Sequence, residues 1–363
     1  MPRRRVTFVT GTRAEFGLME HALRVLRADP RLELQLIATG MHLSRAHGYT
    51  VAGLRKQGWP TDATVPWRGA TAQATGTAMA GLAAAYARLR SDVVLVVGDR
   101  VEAFAAASAA HLSGRVVAHV HGGDRALGQV DDALRHAISK LSHLHFAATA
   151  ASGRRLRRLG EDAFRVHVIG TPGLDGLPER ASGPREPSAL VLLHPDGADE
   201  GRQARQARML MTTLRRAGVD RGVIVWPNND PGWRGIARVW SGVRGDWTVH
   251  QNLPRVEFLR RLGSCAFLIG NSSSGVIEAA SLGARVINIG DRQLGRERSP
   301  NLIDVPWKPE ALSAAIASVW NKGNPKAYRG RNAYGGGDAG MRMAGLLATA
   351  PLDERLRKKL ICY

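Results

Sequence analysis

The sequence predicts an α/β protein built from two Rossmann-like domains. Short apolar runs alternate with helix-length segments through most of the 363 residues, a pattern typical of βαβ units and of parallel sheets covered by helices on both faces. Prolines and glycines interrupt this alternation between about 171 and 188, which we interpret as a linker. Because ligands of open α/β sheets bind outside the carboxyl ends of the strands, we expect two domains that face each other across a cleft.

The first half alternates strongly apolar strands with amphipathic helices. The first helix shows this best, since Phe16, Met19, Leu23 and Leu26 recur at helical spacing. The predicted strands are RRRVTFVTGT (3–12), LELQLIATG (32–40), SDVVLVVGDR (91–100), RVVAHVHGG (115–123) and HLHFAAT (143–149), and a last one lies in FRVHVIGTPGLD (164–175). The predicted helices are AEFGLMEHALRVLRAD (14–29), TGTAMAGLAAAYARLR (75–90), VEAFAAASAAHLSG (101–114), DDALRHAISKLS (131–142) and RRLRRLGED (154–162).

The second half repeats the alternation after the linker. Its predicted strands are ALVLLHPD (189–196), GVIVWPNND (222–230), CAFLIGNSSSG (265–275) and RVINIGDRQ (285–293). Its predicted helices are EGRQARQARMLMTTLRRAG (200–218), EFLRRLGSC (257–265), GVIEAASLG (275–283) and PEALSAAIASVWNKG (309–323). Most of the unusual polar residues of both halves fall where a strand ends.

Composition narrows the class of protein. The net charge of +20 favours a nucleic-acid-binding protein, but the basic residues are mostly arginine, as a GC-rich genome produces without selection for binding. Arg154, Arg155, Arg157 and Arg158 form the densest cluster, and we expect them on a solvated helix face. Two cysteines exclude a disulfide framework and a four-thiolate zinc site. Neither a membrane-spanning apolar run nor a signal peptide is recognisable, so we expect a cytoplasmic protein that binds neither membrane nor nucleic acid.

Two loops are candidates for binding an anion. The segment GTRAE (11–15) follows the first strand and opens a helix, where Arg13 and the helix N-terminus favour negative charge. In GNSSSGVIEA (270–279), glycines bracket three hydroxyls between a buried strand and a helix, which favours a diphosphate; a capped structural turn is the alternative. We place Glu278 on the first turn of that helix, where it either complements the helix dipole or accepts hydrogen bonds from a ribose.

Acid–base candidates cluster at strand ends of the first half. Asp99 follows VVLVVG, His121 ends VVAHVH, and Asp131 lies one helical turn before Arg135. A carboxylate at the mouth of a parallel sheet can have its pKa raised by desolvation, which suits proton transfer near neutral pH. The alternatives are a turn residue for Asp99, a structural histidine for His121 and a helix N-cap for Asp131. The histidines of this region lack the spacing of metal ligands, so we expect no metal.

At these motifs the sequence resembles the UDP-N-acetylglucosamine 2-epimerases, specifically the hydrolysing branch that begins the synthesis of sialic-acid-type sugars. The resemblance covers nearly the whole chain. It rests on VTGTRAEFG (9–17), TGMHLS (39–44), VVGDRVEA (96–103), AHVHGGD (118–124), DDALRHAISKLSHLHF (131–146), IGTPGLD (169–175), IGNSSSGVIEA (269–279) and INIGDRQLGRE (287–297). The family implies a GT-B type fold, with domains at 1–172 and 173–338 and a final helix within about 339–363 that returns to the first domain.

The resemblance also implies roles for individual residues. The proton transfers on the sugar fall to Asp99, His121, Asp124 and Asp131, with Arg135 orienting Asp131. The UDP and substrate contacts fall to Arg13, Glu15, His42, Arg100, His194, Asn228, Ser272, Ser273, Gly275, Glu278 and Arg292. The implied reaction eliminates UDP to give a glycal, adds water and inverts sugar carbon 2, with no cofactor and no metal.

Two positions depart from the family pattern. His121 stands where other members have a carboxylate, so either His121 or Asp124 does that work. Leu18 stands where some members have a lysine, and Leu18 or Phe16 would suit an extra acetamido group on the sugar. The resemblance therefore implies a nucleotide-sugar substrate, which is UDP-N-acetylglucosamine, its 2,4-diacetamido-2,4,6-trideoxy relative or a GDP-linked analogue.

Three alternatives to the hydrolysing epimerase stay open. They are a non-hydrolysing UDP-N-acetylglucosamine 2-epimerase, a GT-B glycosyltransferase, and a basic binding protein without catalytic activity. The polar strand ends favour an enzyme over the binding protein. The family resemblance predicts a homodimer or a homotetramer.

Overall fold

The computed structural model describes residues 3–45, 49–69, 71–125, 131–180, 183–228, 230–360 and 362, except for the Asp131 side chain. The chain forms two compact units, one made of 1–176 together with 334–363 and the other of 177–333. These bounds differ by a few residues from the predicted domains at 1–172 and 173–338.

Unit 1 contains a parallel sheet whose strands are buried between helices. The strand order β3-β2-β1-β4-β5-β6-β7 is that of a doubly wound sheet, in which the first strands are added on one side of β1 and the later strands on its other side. Phe8 on β1 pairs with Leu36 on one side and Leu95 on the other, and all three are fully or almost fully buried. The strands are β1 (Arg4–Thr10), β2 (Leu32–Ala38), β3 (Ala63–Thr64), β4 (Val93–Val97), β5 (Val116–Val120), β6 (Leu144–Ala147) and β7 (Val166–Val168).

The helices of unit 1 cover both faces of this sheet. Helix α1 buries Phe16, Met19 and Leu23, the apolar face that the sequence predicts. The C-terminal segment belongs to unit 1, the domain to which the resemblance assigns it, and it forms two helices rather than one, separated by a stretch that contains Pro351, whose ring cannot continue a helix. The helices are α1 (Arg13–Ala28), α2 (Val51–Lys56), α3 (Thr71–Leu89), α4 (Val101–Leu112), α5 (Asp131–Leu141), α6 (Ala150–Arg158), α12 (Ala339–Thr349) and α13 (Glu354–Arg357).

Unit 2 repeats the same architecture on a smaller scale. Its parallel strands follow the order β10-β9-β8-β11-β12-β13, so strands are again added first on one side and then on the other side of the first strand of the unit. The strands are β8 (Glu186–Leu192), β9 (Gly222–Val225), β10 (Trp247–His250), β11 (Cys265–Gly270), β12 (Arg285–Ile289) and β13 (Leu302–Val305). The helices are α7 (Glu200–Arg216), α8 (Trp233–Ser241), α9 (Arg255–Ser264), α10 (Ser273–Ile277) and α11 (Pro309–Trp320).

The predicted linker at 171–188 contains the boundary between the two units, which falls after Gly176. Its first residues form a buried 3₁₀ turn, Pro172–Leu174, and the Asp175 carboxylate accepts hydrogen bonds from the backbone N–H groups of Ala339 and Gly340 at 3.0 and 2.6 Å. Its last residues begin β8, three residues earlier than predicted. Proline and glycine therefore mark turns that are held by hydrogen bonds here. In the described ranges, no helix has both the length and the apolar character needed to span a membrane.

Candidate active site

The buried guanidinium of Arg135 organises the carboxyl edge of the unit 1 sheet. It forms an ion pair with Asp99, which follows β4. Its Nε atom lies 3.5 Å from Asp132 Oδ1, and its Nη1 donates to the carbonyl oxygen of His121 at 3.4 Å. The loops after β4 and β5 and helix α5 thus meet at one cation. Asp131 begins α5, but its side chain lies outside the described residues, so its pairing with Arg135 stays a prediction.

His121 stands between two partners in the loop after β5. Its Nδ1 lies 2.8 Å from Asp124 Oδ2, and its Nε2 lies 3.0 Å from Thr171 Oγ1. A neutral ring that donates from Nδ1 and accepts the Thr171 hydroxyl at Nε2 satisfies both contacts. His121 has a φ of 66°, a left-handed conformation that costs free energy in a residue with a side chain and often marks functional sites.

Asp124 is held as a charged group. Burial raises the pKa of Asp124, but the facing His121, the hydroxyl of Ser152 and Arg135 outweigh this effect, so that the pKa lies below its ordinary value. The Ser152 hydroxyl donates to Asp124 Oδ1 at 2.7 Å. The ionised Asp124 carboxylate fixes the orientation of the His121 ring through its contact with Nδ1.

Two further side chains fix these loops. His119 Nε2 contacts the carbonyl oxygen of Gly98 at 2.7 Å, and burial lowers the pKa of His119 to about 3, so the ring is neutral and donates to the turn that carries Asp99. Arg155 donates to the carbonyl oxygen of Gly123 at 2.6 Å, beside Asp124. The prediction that Arg155 belongs to a solvated face is therefore wrong, because the start of α6 lies against this loop; Arg154, Arg157 and Arg158 are exposed as predicted.

The GTRAE motif forms a capping box at the start of α1. The Glu15 N–H donates to Thr12 Oγ1 at 3.2 Å, while Glu15 Oε2 accepts from the N–H groups of Gly11 and Thr12 at 2.8 and 3.0 Å. Burial raises the pKa of Glu15 to about 7. Glu15 thus has a structural task, while Arg13, the first residue of α1, is exposed.

Glu102 lies beside this motif. Its side chain packs so closely against Gly11 and Gly40 that a Cβ on either glycine would lie within 3 Å of it. Arg100 Nε lies 3.2 Å from Glu102 Oε2 and 3.9 Å from Glu15 Oε1. The structure thereby brings Arg100 and Glu15 together, two residues predicted from separate motifs.

His42 is buried in the loop after β2. Its ring nitrogens lie 3.1 Å from Thr10 Oγ1 and 2.8 Å from Thr50 Oγ1. Burial lowers the pKa of His42, so the ring is neutral at pH 7. The two hydroxyl contacts give it a structural role in this loop.

In unit 2, the serine loop follows β11. Gly270 has a φ of 147°, and a Cβ there would overlap the backbone oxygen of Leu192, so the strand can end in this turn only with glycine. Ser272 is the N-cap of α10 and accepts from the Ser274 N–H at 3.3 Å. Ser273 is the first helical residue and half-buried, and Gly275 lets α10 pack against β11 and β12.

A second group of predicted residues surrounds Asn271 at the same sheet edge. The backbone of His194 is fixed by the Asn271 side chain, which accepts from the His194 N–H at 2.7 Å and donates to its carbonyl at 2.9 Å. His194 Nδ1 accepts from the Asn228 N–H at 3.1 Å, and burial lowers the pKa of His194 to about 4. Asp230 links the predicted residues Asn228 and Arg292, since Asp230 Oδ2 accepts from Asn228 Nδ2 at 2.6 Å and lies 3.3 Å from Arg292 Nη2.

Glu278 occupies a different position from the predicted one. The helix α10 has only five residues, and Glu278 follows its last residue, where its N–H donates to the Ser274 carbonyl at 2.9 Å. A carboxylate at a helix C-terminus gains nothing from the dipole, so the dipole explanation is wrong. Glu278 Oε1 accepts from Arg255 Nη2 at 2.6 Å, and Oε2 is buried without a hydrogen-bond partner in the described part of the chain.

Of the two residues suggested to suit an extra acetamido group, Phe16 is buried and Leu18 is partly exposed. Phe16 is 3% exposed and packs edge-on against Trp59 with ring centroids 5.3 Å apart, so its side chain belongs to the core. Leu18 is half-buried and packs against that core near Gly173. Across the described residues, no three His, Cys, Asp or Glu side chains are grouped to hold a metal ion.

Several residues of these networks escaped the sequence analysis. Asp132, Ser152, Thr171, Asp230, Asn271 and Arg255 were not predicted. Thr171 and Asn271 lie inside quoted motifs, and Asn271 directly precedes the predicted Ser272, so membership of a motif is a usable signal. Arg255 has none, because its partner lies 23 positions away.

Comparison with known proteins identifies the class and then the family. The two Rossmann-like units have the GT-B type fold: a solved UDP-GlcNAc 2-epimerase from Neisseria meningitidis, bound to UDP-GlcNAc, superimposes with a TM-score of 0.76 at 20% identity, covering 94% of this chain and 99% of that one. The model of the UDP-N-acetylglucosamine 2-epimerase family matches residues 24–348. The chain belongs to this family.

Two relatives are similar to this chain over most of their length. A UDP-N,N'-diacetylbacillosamine 2-epimerase (hydrolyzing) from Legionella pneumophila is 36% identical, covering 99% of this chain and 100% of the relative. A GDP/UDP-N,N'-diacetylbacillosamine 2-epimerase (hydrolyzing) from Campylobacter jejuni is 30% identical, covering 84% of this chain and 85% of the relative. Both relatives are named as hydrolysing 2-epimerases.

Proposed function

We propose that this protein is a hydrolysing nucleotide-sugar 2-epimerase. It converts a UDP-linked 2-acetamido sugar and water into UDP and the free sugar with the manno configuration at carbon 2. The observation that carries the proposal is the linked set of Asp99, Arg135, His121 and Asp124 at one sheet edge, in a chain that is similar throughout to a hydrolysing 2-epimerase. Two charged carboxylates, an imidazole and a buried cation in contact are suited to moving protons.

The reaction is an elimination followed by a hydration. A base removes the proton of carbon 2, the electron pair forms the carbon 1–carbon 2 double bond, and the bond from carbon 1 to the UDP oxygen breaks. Water then adds its oxygen to carbon 1 of the glycal, while an acid returns a proton to carbon 2 on the opposite face. Two groups on opposite faces are needed, and we assign Asp99 and Asp131 to one exchange and His121 with Asp124 to the other.

Arg135 would tune these groups rather than exchange protons. Its contact with Asp99 favours the ionised carboxylate, which is the form that can accept a proton. Its contact with the His121 carbonyl ties the loop after β5 to the same cation. No step of this scheme transfers a hydride or an electron, so it requires no redox cofactor.

We assign the nucleotide to unit 2. Ser272, Ser273 and the backbone at Gly275 would bind the diphosphate and Glu278 the ribose, while His194, Asn228 and Arg292 would contact the rest of the nucleotide. Arg13 and Arg100 would stabilise the charge that develops on the departing UDP. Glu15 and His42 were predicted to contact the substrate. We propose that they also hold the loops that carry these two arginines.

The relatives favour a sugar with acetamido groups on carbons 2 and 4. Both are named for diacetylbacillosamine, with UDP in one case and GDP or UDP in the other. We therefore expect the 2,4-diacetamido-2,4,6-trideoxy substrate to be preferred over UDP-N-acetylglucosamine, and UDP over GDP. We also expect a cytoplasmic homodimer or homotetramer, as the family resemblance implies.

Product analysis tests the proposal. The purified protein is incubated with each UDP-sugar and with the GDP-linked analogue, and the products are separated by anion-exchange chromatography and mass spectrometry. Equal amounts of UDP and a free manno-configured sugar support the hydrolysing epimerase. An epimerised sugar still linked to UDP would instead identify a non-hydrolysing epimerase, and transfer of the sugar only to an added acceptor would identify a glycosyltransferase.

A further inference from the structure

The two oxygens of Glu278 have different surroundings. Oε1 accepts from Arg255 Nη2 at 2.6 Å, a short charge-assisted hydrogen bond. Oε2 is buried and has no hydrogen-bond partner among the described residues. The Glu278 side chain is 9% exposed, whereas that of Arg255 is 58% exposed. A buried carboxylate oxygen without a donor is costly, so a ligand that supplies a donor there would gain binding free energy.

Arg255 is placed to fix the direction in which this oxygen points. It is the first residue of α9, and its side chain reaches Glu278 on a different segment of unit 2. The backbone of Glu278 is held separately, by its hydrogen bond to the Ser274 carbonyl in the serine loop. Main chain and carboxylate are thus held from two directions, and Oε2 is the carboxylate oxygen that the described residues leave to a ligand.

We propose that Arg255 is a positioning residue that orients Glu278 so that Oε2 accepts hydrogen bonds from the ribose hydroxyls of the nucleotide. This inference rests on the proposed function, since it presupposes a ribonucleotide beside the serine loop. Arg255 acts through Glu278 and does not contact the ligand. Its consequence is selectivity: the pair binds a ribonucleoside diphosphate more tightly than a deoxyribonucleoside diphosphate.

The alternative is that Arg255 contacts the diphosphate directly. In that case its removal weakens all diphosphates equally, because the phosphates of a deoxynucleotide are unchanged. If Arg255 instead acts through Glu278, its removal lowers affinity only where the ribose hydroxyls contribute. The two roles therefore differ in a ratio of affinities, which does not depend on how much of the protein is active.

The experiment measures binding of UDP, 2'-deoxy-UDP and 3'-deoxy-UDP by isothermal titration calorimetry. The variants are Arg255→Gln, Arg255→Lys, Glu278→Gln and the double variant Arg255→Gln/Glu278→Gln. Arg260→Gln is the matched control, because Arg260 lies on the same helix and forms a similar 2.6 Å ion pair with Glu257. The KM and kcat of each variant are measured with the UDP-sugar.

Wild-type protein should bind UDP about tenfold to a hundredfold more tightly than the deoxy-UDP that lacks the hydroxyl facing Glu278, the range expected for a hydrogen bond to a charged group. Arg255→Gln should reduce that ratio to within about threefold of one and raise KM more than it lowers kcat. Arg255→Lys should restore most of the ratio. In the Glu278→Gln background, Arg255→Gln should have no further effect, and Arg260→Gln should match the wild type.

An unchanged ratio in Arg255→Gln would overturn the assignment, whether UDP affinity stays at the wild-type level or falls equally for all three ligands. Strong UDP binding without any preference for the ribose would also overturn it, while leaving the epimerase intact. If the wild type neither binds UDP nor releases it from a UDP-sugar, the proposed function itself fails, and this inference fails with it.

Discussion

Replacing Arg135 by Met should destabilise the protein and impair the acid–base site together. The guanidinium is 7% exposed and neutralises Asp99, whose side chain is 20% exposed, with Asp132 at 3.5 Å as a further partner. Breaking a fully buried ion pair by removing one partner costs about 3–5 kcal/mol, and the partial exposure of Asp99 reduces this to about 2–3 kcal/mol. Met retains much of the volume, so little of the loss arises from a cavity.

Urea unfolding at pH 7 measures this loss, and a double-mutant cycle assigns it. Asp99→Asn removes the charge that Arg135→Met leaves unpaired, so the double variant should recover about 1–2 kcal/mol relative to the sum of the single losses. Turnover of the UDP-sugar should fall by at least about a hundredfold in Arg135→Met, since the loop after β5 loses its tie to the cation. The Asp99→Asn variant reports how much of that loss is due to Asp99.

Two results would refute this reasoning. A loss of stability below about 0.5 kcal/mol in Arg135→Met would place the guanidinium in solvent rather than in a buried cluster. Additive losses in the double variant would show that Arg135 and Asp99 do not interact, and the account of the site would then lose its central contact.

Three other changes probe separate parts of the structure. Burial raises the pKa of Glu15 from 4.5 to about 7, so the unfolded chain loses this proton first and the stability of the folded protein falls as pH rises through that window. In urea unfolding, Glu15→Gln should therefore gain up to about 3 kcal/mol of stability relative to wild type between pH 4.5 and pH 8, whereas a difference that does not change with pH would contradict this. Thr171→Val removes the hydroxyl at 3.0 Å from His121 and should cost about 1 kcal/mol and lower kcat, whereas unchanged kcat would show that the contact plays no part in turnover. Gly270→Ala should cost about 2 kcal/mol or more and weaken UDP binding, whereas Gly263→Ala, whose added Cβ would meet no atom within 4 Å, should leave stability and binding unchanged or slightly improved. Equal behaviour of the two variants would contradict the steric argument.

The alternation of apolar runs and amphipathic segments predicts the fold well, because both faces of a parallel sheet are buried and each strand must be apolar throughout. Val93–Val97 and Val116–Val120 are clear examples, since every residue of both strands is buried. The edge strand β13 was missed, because two of its four residues are exposed and its sequence lacks that signal. Composition also predicted the linker at 171–188, which contains the boundary between the units, but not the hydrogen bonds that Asp175 accepts from Ala339 and Gly340.

The candidate site was predicted less completely than the fold. Motifs at strand ends identify Asp99, His121 and Asp124, since the carboxyl ends of neighbouring parallel strands share one edge. Which side chains pair there depends on how helices pack on the sheet, so the contacts of Arg135 with Asp99 and Asp132 were not predicted. The length of α10 also depends on tertiary contacts, and Glu278 was therefore placed at the wrong end of it.

Proton NMR in deuterated water tests the central claim most directly. The protein is incubated with UDP-N-acetylglucosamine and with its 2,4-diacetamido-2,4,6-trideoxy relative, and the signal of the proton on sugar carbon 2 is followed with time. Elimination and hydration predict a free manno-configured sugar with deuterium at carbon 2 and one UDP for each sugar released. A released sugar that keeps its original proton and configuration at carbon 2 would contradict the account, because UDP would then have left without any proton transfer at that carbon.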